Sequence, residues 1–152
     1  GNLCKFNASI IVIKFEDIKH NYQLVDTKEK RDELLRILRT SDFLVLDTET
    51  SGLSFTGDEI IEFSAVRLEW DNGWKPVAEV DEFVRMTNNR KLDPKITALT
   101  GITDEMLLQD GISKEALCGL LGQLLTPGTM ITAYNAQFDL LFLFYLLTSL
   151  VL

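Results

Sequence analysis

The stretch that most constrains this chain is Val45-Leu46-Asp47-Thr48-Glu49-Thr50-Ser51-Gly52-Leu53. A run of buried-type residues, 43–46, ends in two carboxylates separated by one residue, and glycine then breaks it. Side chains alternate along a strand, so Asp47 and Glu49 emerge on one face with Cα atoms about 6.6 Å apart. Like charges at the end of a buried strand repel, and something must offset that repulsion. Two divalent cations would do so, since two-metal phosphoryl-transfer sites hold their ions roughly 3.5–4 Å apart. A solvated strand end whose acids cap the next loop satisfies the same pattern. The pair alone leaves both readings open.

The bulk properties narrow the field. The 152 residues are 46% hydrophobic and 25% charged, which fits one soluble α/β or α+β domain with a real core. Fifteen basic and 23 acidic side chains give a net charge of −8. That balance argues against coating nucleic acid through a broad basic surface, but not against gripping a few nucleotides through metal ions. Cys4 and Cys118 lack metal-type spacing and are expected as two thiols in a reducing cytoplasm. Lys14, Glu16 and Asp17 interrupt the apolar run near the start, so no signal peptide is expected. Residues 140–152 carry no charge, yet thirteen residues are too few for a membrane span of about 20. An apolar helix ending in mid-course suggests a shortened chain, expected to self-associate through that helix.

Strands are expected over 9–13 and 22–25, then a helix capped by Thr27 and running to about 39, with Leu34, Leu35, Ile37 and Leu38 inward. The acid-bearing strand covers 43–48. A long strand over 60–70 changes the parity of its apolar positions midway, which suggests a bulge or burial on both faces at one end. Asp71-Asn72-Gly73 is a tight-turn signal, so 77–86 should pair antiparallel with it. Short helices follow at 94–99 and, capped by Thr103, to about 108; a third, capped by Ser113, runs to 125, where Pro127-Gly128 stops it. A strand over 130–133 and a helix from Ala136 complete a mixed sheet carrying helices, read as one domain over 1–152 with a lead-in to about 41.

The second dense signal is Ala133-Tyr134-Asn135-Ala136-Gln137-Phe138-Asp139. A strand ends near Ala133, so Asp139 falls in the opening turns of the next helix, at the strand end where α/β sites form. Phe138 and Leu143 are expected to face the core and Asp139 the cleft. A helix-dipole acid is the alternative for Asp139.

Asp47-Thr48-Glu49-Thr50-Ser51-Gly52-Leu53 resembles the first motif of the DEDD 3′–5′ exonucleases, and Asn135-Ala136-Gln137-Phe138-Asp139 the second. Leu99-Thr100-Gly101-Ile102-Thr103-Asp104-Glu105-Met106-Leu107 is similar to a segment typical of the DNA polymerase III epsilon-subunit branch. The resemblance runs from about 43 to 143, while the lead-in is more like polymerase I-type exonucleases. It implies a ribonuclease H-like fold and two Mg²⁺ or Mn²⁺ ions. It also implies hydrolytic release of nucleotides from a single-stranded or frayed 3′ end, with DNA favoured over RNA. By the same resemblance Asp47, Glu49 and Asp139 are catalytic metal ligands. Thr48, Thr50, Gly52 and Leu53 would contact the terminal nucleotide, with Leu53 wedged against its base, and Asn135 and Phe138 would shape the pocket. A polymerase subunit is the implied partner.

The family's third motif, with a fourth aspartate and a water-activating histidine or tyrosine, has no counterpart here. Only 13 residues follow Asp139, and none is Asp, Glu or His. His20 lies far upstream and Tyr145 reads as core. The chain is therefore expected to be C-terminally truncated and weak or inactive as it stands. The alternatives are a crippled module that binds nucleic-acid ends or a polymerase, and an RNA-trimming exoribonuclease.

Overall fold

The computed structural model describes residues 26–151. The strands expected over 9–13 and 22–25, together with His20 and Cys4, lie outside the described residues. Helix α1 (Lys28–Thr40) begins where expected, with the Thr27 hydroxyl accepting from the Lys30 N–H at 3.2 Å. Leu34 and Ile37 are half-buried on it while Leu35 stays exposed.

Strand β1 (Phe43–Thr50) runs up the middle of a four-stranded sheet ordered β3-β2-β1-β4. Strands β2 (Ile60–Trp70) and β3 (Trp74–Phe83) form an antiparallel meander with it. The tight turn lies at Asn72 and Gly73, both with positive φ, conformations that asparagine and glycine tolerate. Trp70 and Trp74 face each other across it with rings 5.1 Å apart, so β3 starts three residues earlier than expected. It also ends earlier, because Ile112 takes over the backbone bonds beyond Phe83.

A 3₁₀ turn (Thr87–Asn89) leads to α2 (Pro94–Thr100), α3 (Asp104–Asp110) and α4 (Lys114–Leu124). Asp93, Thr103 and Ser113 each cap the following helix by accepting from its first-turn N–H groups. Strand β4 (Met130–Thr132) pairs parallel with the start of β1, and α5 (Ala136–Val151) follows.

One face of the sheet is covered. Leu44 and Leu46 of β1 and Phe63 and Ala65 of β2 pack with Leu117 and Leu121 of α4 and Phe142 and Leu143 of α5. A second cluster, Ile61, Met86, Leu92, Ile102 and Leu107, holds the segment carrying α2 and α3 against the sheet. Cys118 is buried in the first cluster and is not a free thiol, contrary to expectation for that residue. Helix α5 turns Phe142, Leu143, Leu146 and Leu147 inward. Its packing therefore offers no support for self-association through it. Among the described residues no helix is long and apolar enough to cross a membrane.

The irregularity midway along β2 falls on its partner: Arg67 pairs with Ala78 and Leu68 with Pro76, leaving Val77 of β3 as the extra residue. The extra residue of β2 itself is Ile61, between the Glu49–Glu62 and Thr50–Ile60 pairs. Burial parity does not change midway, because Arg67 itself fills the inner slot at 8% exposure. Its guanidinium donates to the Leu124 carbonyl (2.6 Å), the Thr129 and Thr126 hydroxyls (3.1 Å each) and the Asp42 carboxylate (2.7 Å). One side chain thus ties β2 to the end of α4 and to the β1 and β4 starts. Arg67→Ala should lower the unfolding free energy by about 2–4 kcal/mol in urea denaturation, since a buried carbonyl and a carboxylate lose their donors.

Candidate active site

The alternation of β1 divides its last residues between two faces. Leu46 and Thr48 point into the covered face; Asp47 is exposed and Glu49 half-buried on the open one. The two acids therefore share a face at the carboxyl end of the central strand, as their spacing requires. Opposite them on β2 lie Ser64 and Glu62. Burial pushes the Glu49 carboxyl above its ordinary range, and the charges of Asp47 and Asp139 push it further. Glu62 is raised as well, by burial first and then by Asp81 and Glu49.

Asp139 stands in the first turn of α5, but not in an open cleft. It is 4% exposed, and the Thr48 hydroxyl donates a very short hydrogen bond to its Oδ1. The reason is helical geometry. Asp139 shares the stripe of Phe142, Leu143, Leu146 and Leu147, spaced at i+3, i+4, i+7 and i+8, which α5 lays on the sheet. Asp139 and Leu143 thus share a face rather than dividing core from cleft. Burial raises the Asp139 carboxyl, partly opposed by the Thr48 bond and reinforced by the Asp47 charge.

The loop after β1 is tied down at several points. Thr50 Oγ1 donates to the Gly52 carbonyl (2.6 Å), and the Ser51 N–H to the Glu59 carbonyl (2.8 Å). Asp58 accepts from the Ser54 N–H (3.0 Å) and the Ser51 hydroxyl (3.2 Å). Gly52 is required because a Cβ there would lie 2.3 Å from Asp58 Oδ2. The result presents Leu53 to solvent at 87% exposure. Arg90 braces the loop from outside, donating to the Gly57 carbonyl at 3.1 Å and the Ser51 hydroxyl at 3.4 Å. Glu59 is fixed by Lys114 and by the Thr87 hydroxyl at 2.7 Å. Burial alone would raise the Glu59 carboxyl, but Lys114 and Thr87 outweigh it and hold it below the ordinary range.

Of the expected site residues, Asp47, Glu49, Thr50, Gly52 and Leu53 gather at the end of β1, and Thr48 meets Asp139 beneath them. Asn135 is exposed at the start of α5. Phe138 stacks on Phe142 at 4.8 Å and belongs to the core margin rather than to a pocket. Asp58, Arg90, Glu59 and Lys114 escaped the sequence reading. Arg90 reaches Ser51 across 39 residues, and no local pattern announces such a contact.

Magnesium and manganese prefer oxygen donors, and magnesium is commonly held by one or two carboxylates with water and substrate phosphate completing the shell. Asp47 and Glu49 fit that donor set. Among the described residues no group of three acids, histidines or cysteines converges closely enough to hold an ion alone. The expected three-acid set is therefore a surface pair with a buried neighbour.

A mixed sheet flanked by helices, with paired acids ending its central strand, is the ribonuclease H-like exonuclease fold. The chain belongs to the exonuclease family, whose profile matches residues 44–148. It is similar to the PolC-type DNA polymerase III of Thermotoga maritima, at 40% identity over 101 residues covering 66% of this chain and 7% of that protein. The PolC-type polymerase III of Latilactobacillus sakei is 34% identical over 108 residues, covering 71% of this chain and 7% of that one. Among solved structures, Escherichia coli Exonuclease I in complex with a dT13 oligonucleotide superposes with a TM-score of 0.60 at 25% identity, covering 68% of this chain and 22% of that one. Exonuclease I from Methylocaldum szegediense does so at 0.58 and 25%, covering 65% and 21%. The chain thus spans a small part of each relative.

Two measurements follow from this geometry. Thr48→Val should destabilise the fold by about 1–3 kcal/mol in urea, because buried Asp139 loses its donor, and Thr48→Ser should recover most of it. Glu49→Gln addresses the raised carboxyl. A folded-state pKa above the unfolded one makes the wild type lose stability as pH rises through that interval. In EDTA the variant should therefore melt above the wild type at pH 7.5, and the gap should close at pH 4.

Proposed function

We infer that this chain is the acid-bearing part of a metal-dependent 3′–5′ exonuclease that releases nucleotides from a DNA end, of the proofreading or repair type. The single observation behind this reading is the Asp47–Glu49 pair on one face at the carboxyl end of β1, where Glu49 is pressed toward protonation by burial and its neighbours' charge. A site that resists its own negative charge is one that a cation relieves. Asp47 and Glu49 would hold Mg²⁺ or Mn²⁺, with Asp139 steadying the site from below through Thr48. When bound, such ions lower the pKa of a water and neutralise charge on the departing oxygen.

The remaining groups position the substrate. Leu53 stands out on its braced loop, suited to stacking on a terminal base whatever its identity. Thr50 and Gly52 shape the turn beneath it, and Asn135 lies exposed at the head of α5. DNA is favoured by the polymerase relatives, which also support a polymerase partner and a cytoplasmic setting. A second reading, binding of nucleic-acid ends without cleavage, is favoured by the absence of any histidine among the described residues.

Millimolar Mn²⁺ should raise the melting temperature of the wild type and leave Asp47→Ala unmoved, because a ligand of the folded form stabilises it. On a 5′-labelled single-stranded DNA oligonucleotide with Mn²⁺, the wild type should yield a slow ladder of 3′-shortened products that Asp47→Ala abolishes. A ladder that survives in Asp47→Ala would discard the site. Binding without any product would select the second reading.

A further inference from the structure

The cations of this acidic chain are unevenly used. Lys28, Lys30 and Arg36 pair with acids nearby in sequence, Lys75 with Asp71, Lys114 with Glu59, and Arg67 with Asp42. Among the described residues Arg85, Lys91 and Lys95 form no ion pair, and outside α1, whose Arg31 and Arg39 are also unpaired, every other cation has an acidic partner. Arg85, Arg90 and Lys91 are all exposed and surround one shallow recess with Asn89, Leu107 and a single acid, Asp104, whose carboxylate accepts from the Leu92 N–H at 2.8 Å. The chain reaches this arrangement through Asn88 and Asn89, consecutive residues in the left-handed region that reverse its direction.

The recess lies at the acid end of the sheet. Thr50 pairs with Ile60, and the Val84 N–H bonds the Ile61 carbonyl, so residue 84 lies two strands from β1, about 10 Å away. Arg90 bridges that distance directly. It bonds Gly57 and Ser51 of the loop that follows the acids and approaches Asp58 to 3.7 Å, and half of its side chain stays accessible. On the open sheet face the opposite condition holds. Glu62 sits between Glu49 and Asp81, and these acids would repel a polyanion.

We propose that Arg85, Arg90 and Lys91 form a track for the phosphate backbone of the strand whose 3′ end is held at Asp47 and Glu49. The proposal rests on the exonuclease reading and adds the direction in which the rest of the strand leaves the site. Two unpaired cations and the half-accessible Arg90, beside a loop that carries an exposed apolar side chain, suit a ligand with alternating phosphates and bases. Contacts to phosphate fix register without reading sequence, so the track tolerates any base.

The test is fluorescence anisotropy with 5′-labelled dT12 and with a labelled thymidine dinucleotide, at one fixed Ca²⁺ concentration so that the acid pair carries a cation, over a series of NaCl concentrations. The proteins are the wild type, Lys91→Glu, Arg85→Gln and a control, Lys75→Glu, at the far end of the sheet. Arg85→Gln keeps the stem that packs beside Gly111. Each track variant should bind dT12 roughly three- to tenfold more weakly, and its log K against log salt slope should flatten by about 0.7 per lost phosphate contact. Dinucleotide binding and melting temperature should not change, and Lys75→Glu should match the wild type. Equal dT12 affinity and slope in all four proteins would overturn the track alone. So would a loss in Lys75→Glu as large as that in Lys91→Glu, which would reduce the effect to net charge. A wild type that binds neither oligonucleotide would instead defeat the exonuclease reading itself.

Discussion

The parallel pairing of β4 with β1 is the constraint on which the site depends. It joins Phe43 to Met130, Leu44 to Ile131 and Val45 to Thr132, and nothing longer. So short a ladder contributes little alone, yet it sets where α5 begins and hence where Asp139 meets Thr48. Two reinforcements hold it. The Met130 N–H donates to the Asp42 carbonyl at 2.8 Å, and Arg67 gathers Asp42, Thr126 and Thr129 around one guanidinium. Apolar packing of Leu44 and Leu46 against Phe142 and Leu143 does the rest.

Much of this was legible in the sequence because the signals are local. Thr27, Asp93, Thr103 and Ser113 start helices through contacts within two or three residues. Asn72-Gly73 specifies its hairpin, and the two-residue spacing of Asp47 and Glu49 specifies their shared face. Arg67 was not legible, since its bonds to Asp42, Leu124, Thr126 and Thr129 span 25 to 62 residues. Asp139 is the instructive case. Its spacing from Phe142, Leu143, Leu146 and Leu147 already marks the buried stripe, but a chemical expectation for the acid turned it toward solvent. Periodicity was the better guide, and the Thr48 hydroxyl on the strand beneath makes the burial tolerable.

The electrostatic design follows from the same separation of faces. Carboxylates crowd the open side of the sheet at Asp47, Glu49, Glu62 and Asp81, where burial and mutual charge lift Glu49 and Glu62. Beyond the strand ends the sign reverses: among the described residues Arg85 and Lys91 form no ion pair, and Arg90 meets Asp58 only at 3.7 Å with half of its side chain accessible. A net charge of −8 therefore conceals a dipolar arrangement across one end of the molecule.

The long sequence separation between Thr48 and Asp139, 91 residues, has a consequence for the order in which the domain comes together. The β1–β2–β3 meander joins neighbours in sequence and closes small loops, whereas β4 and α5 must be brought back across most of the chain. Closing the larger loop carries the larger entropy loss, which favours early formation of the meander and late docking of α5. In that order the acid pair exists before its buried companion arrives. In the native ensemble the same hierarchy runs backwards: an excursion that lifts β4 and α5 away leaves the meander standing. Competence at the site is consequently less durable than the sheet that bears it.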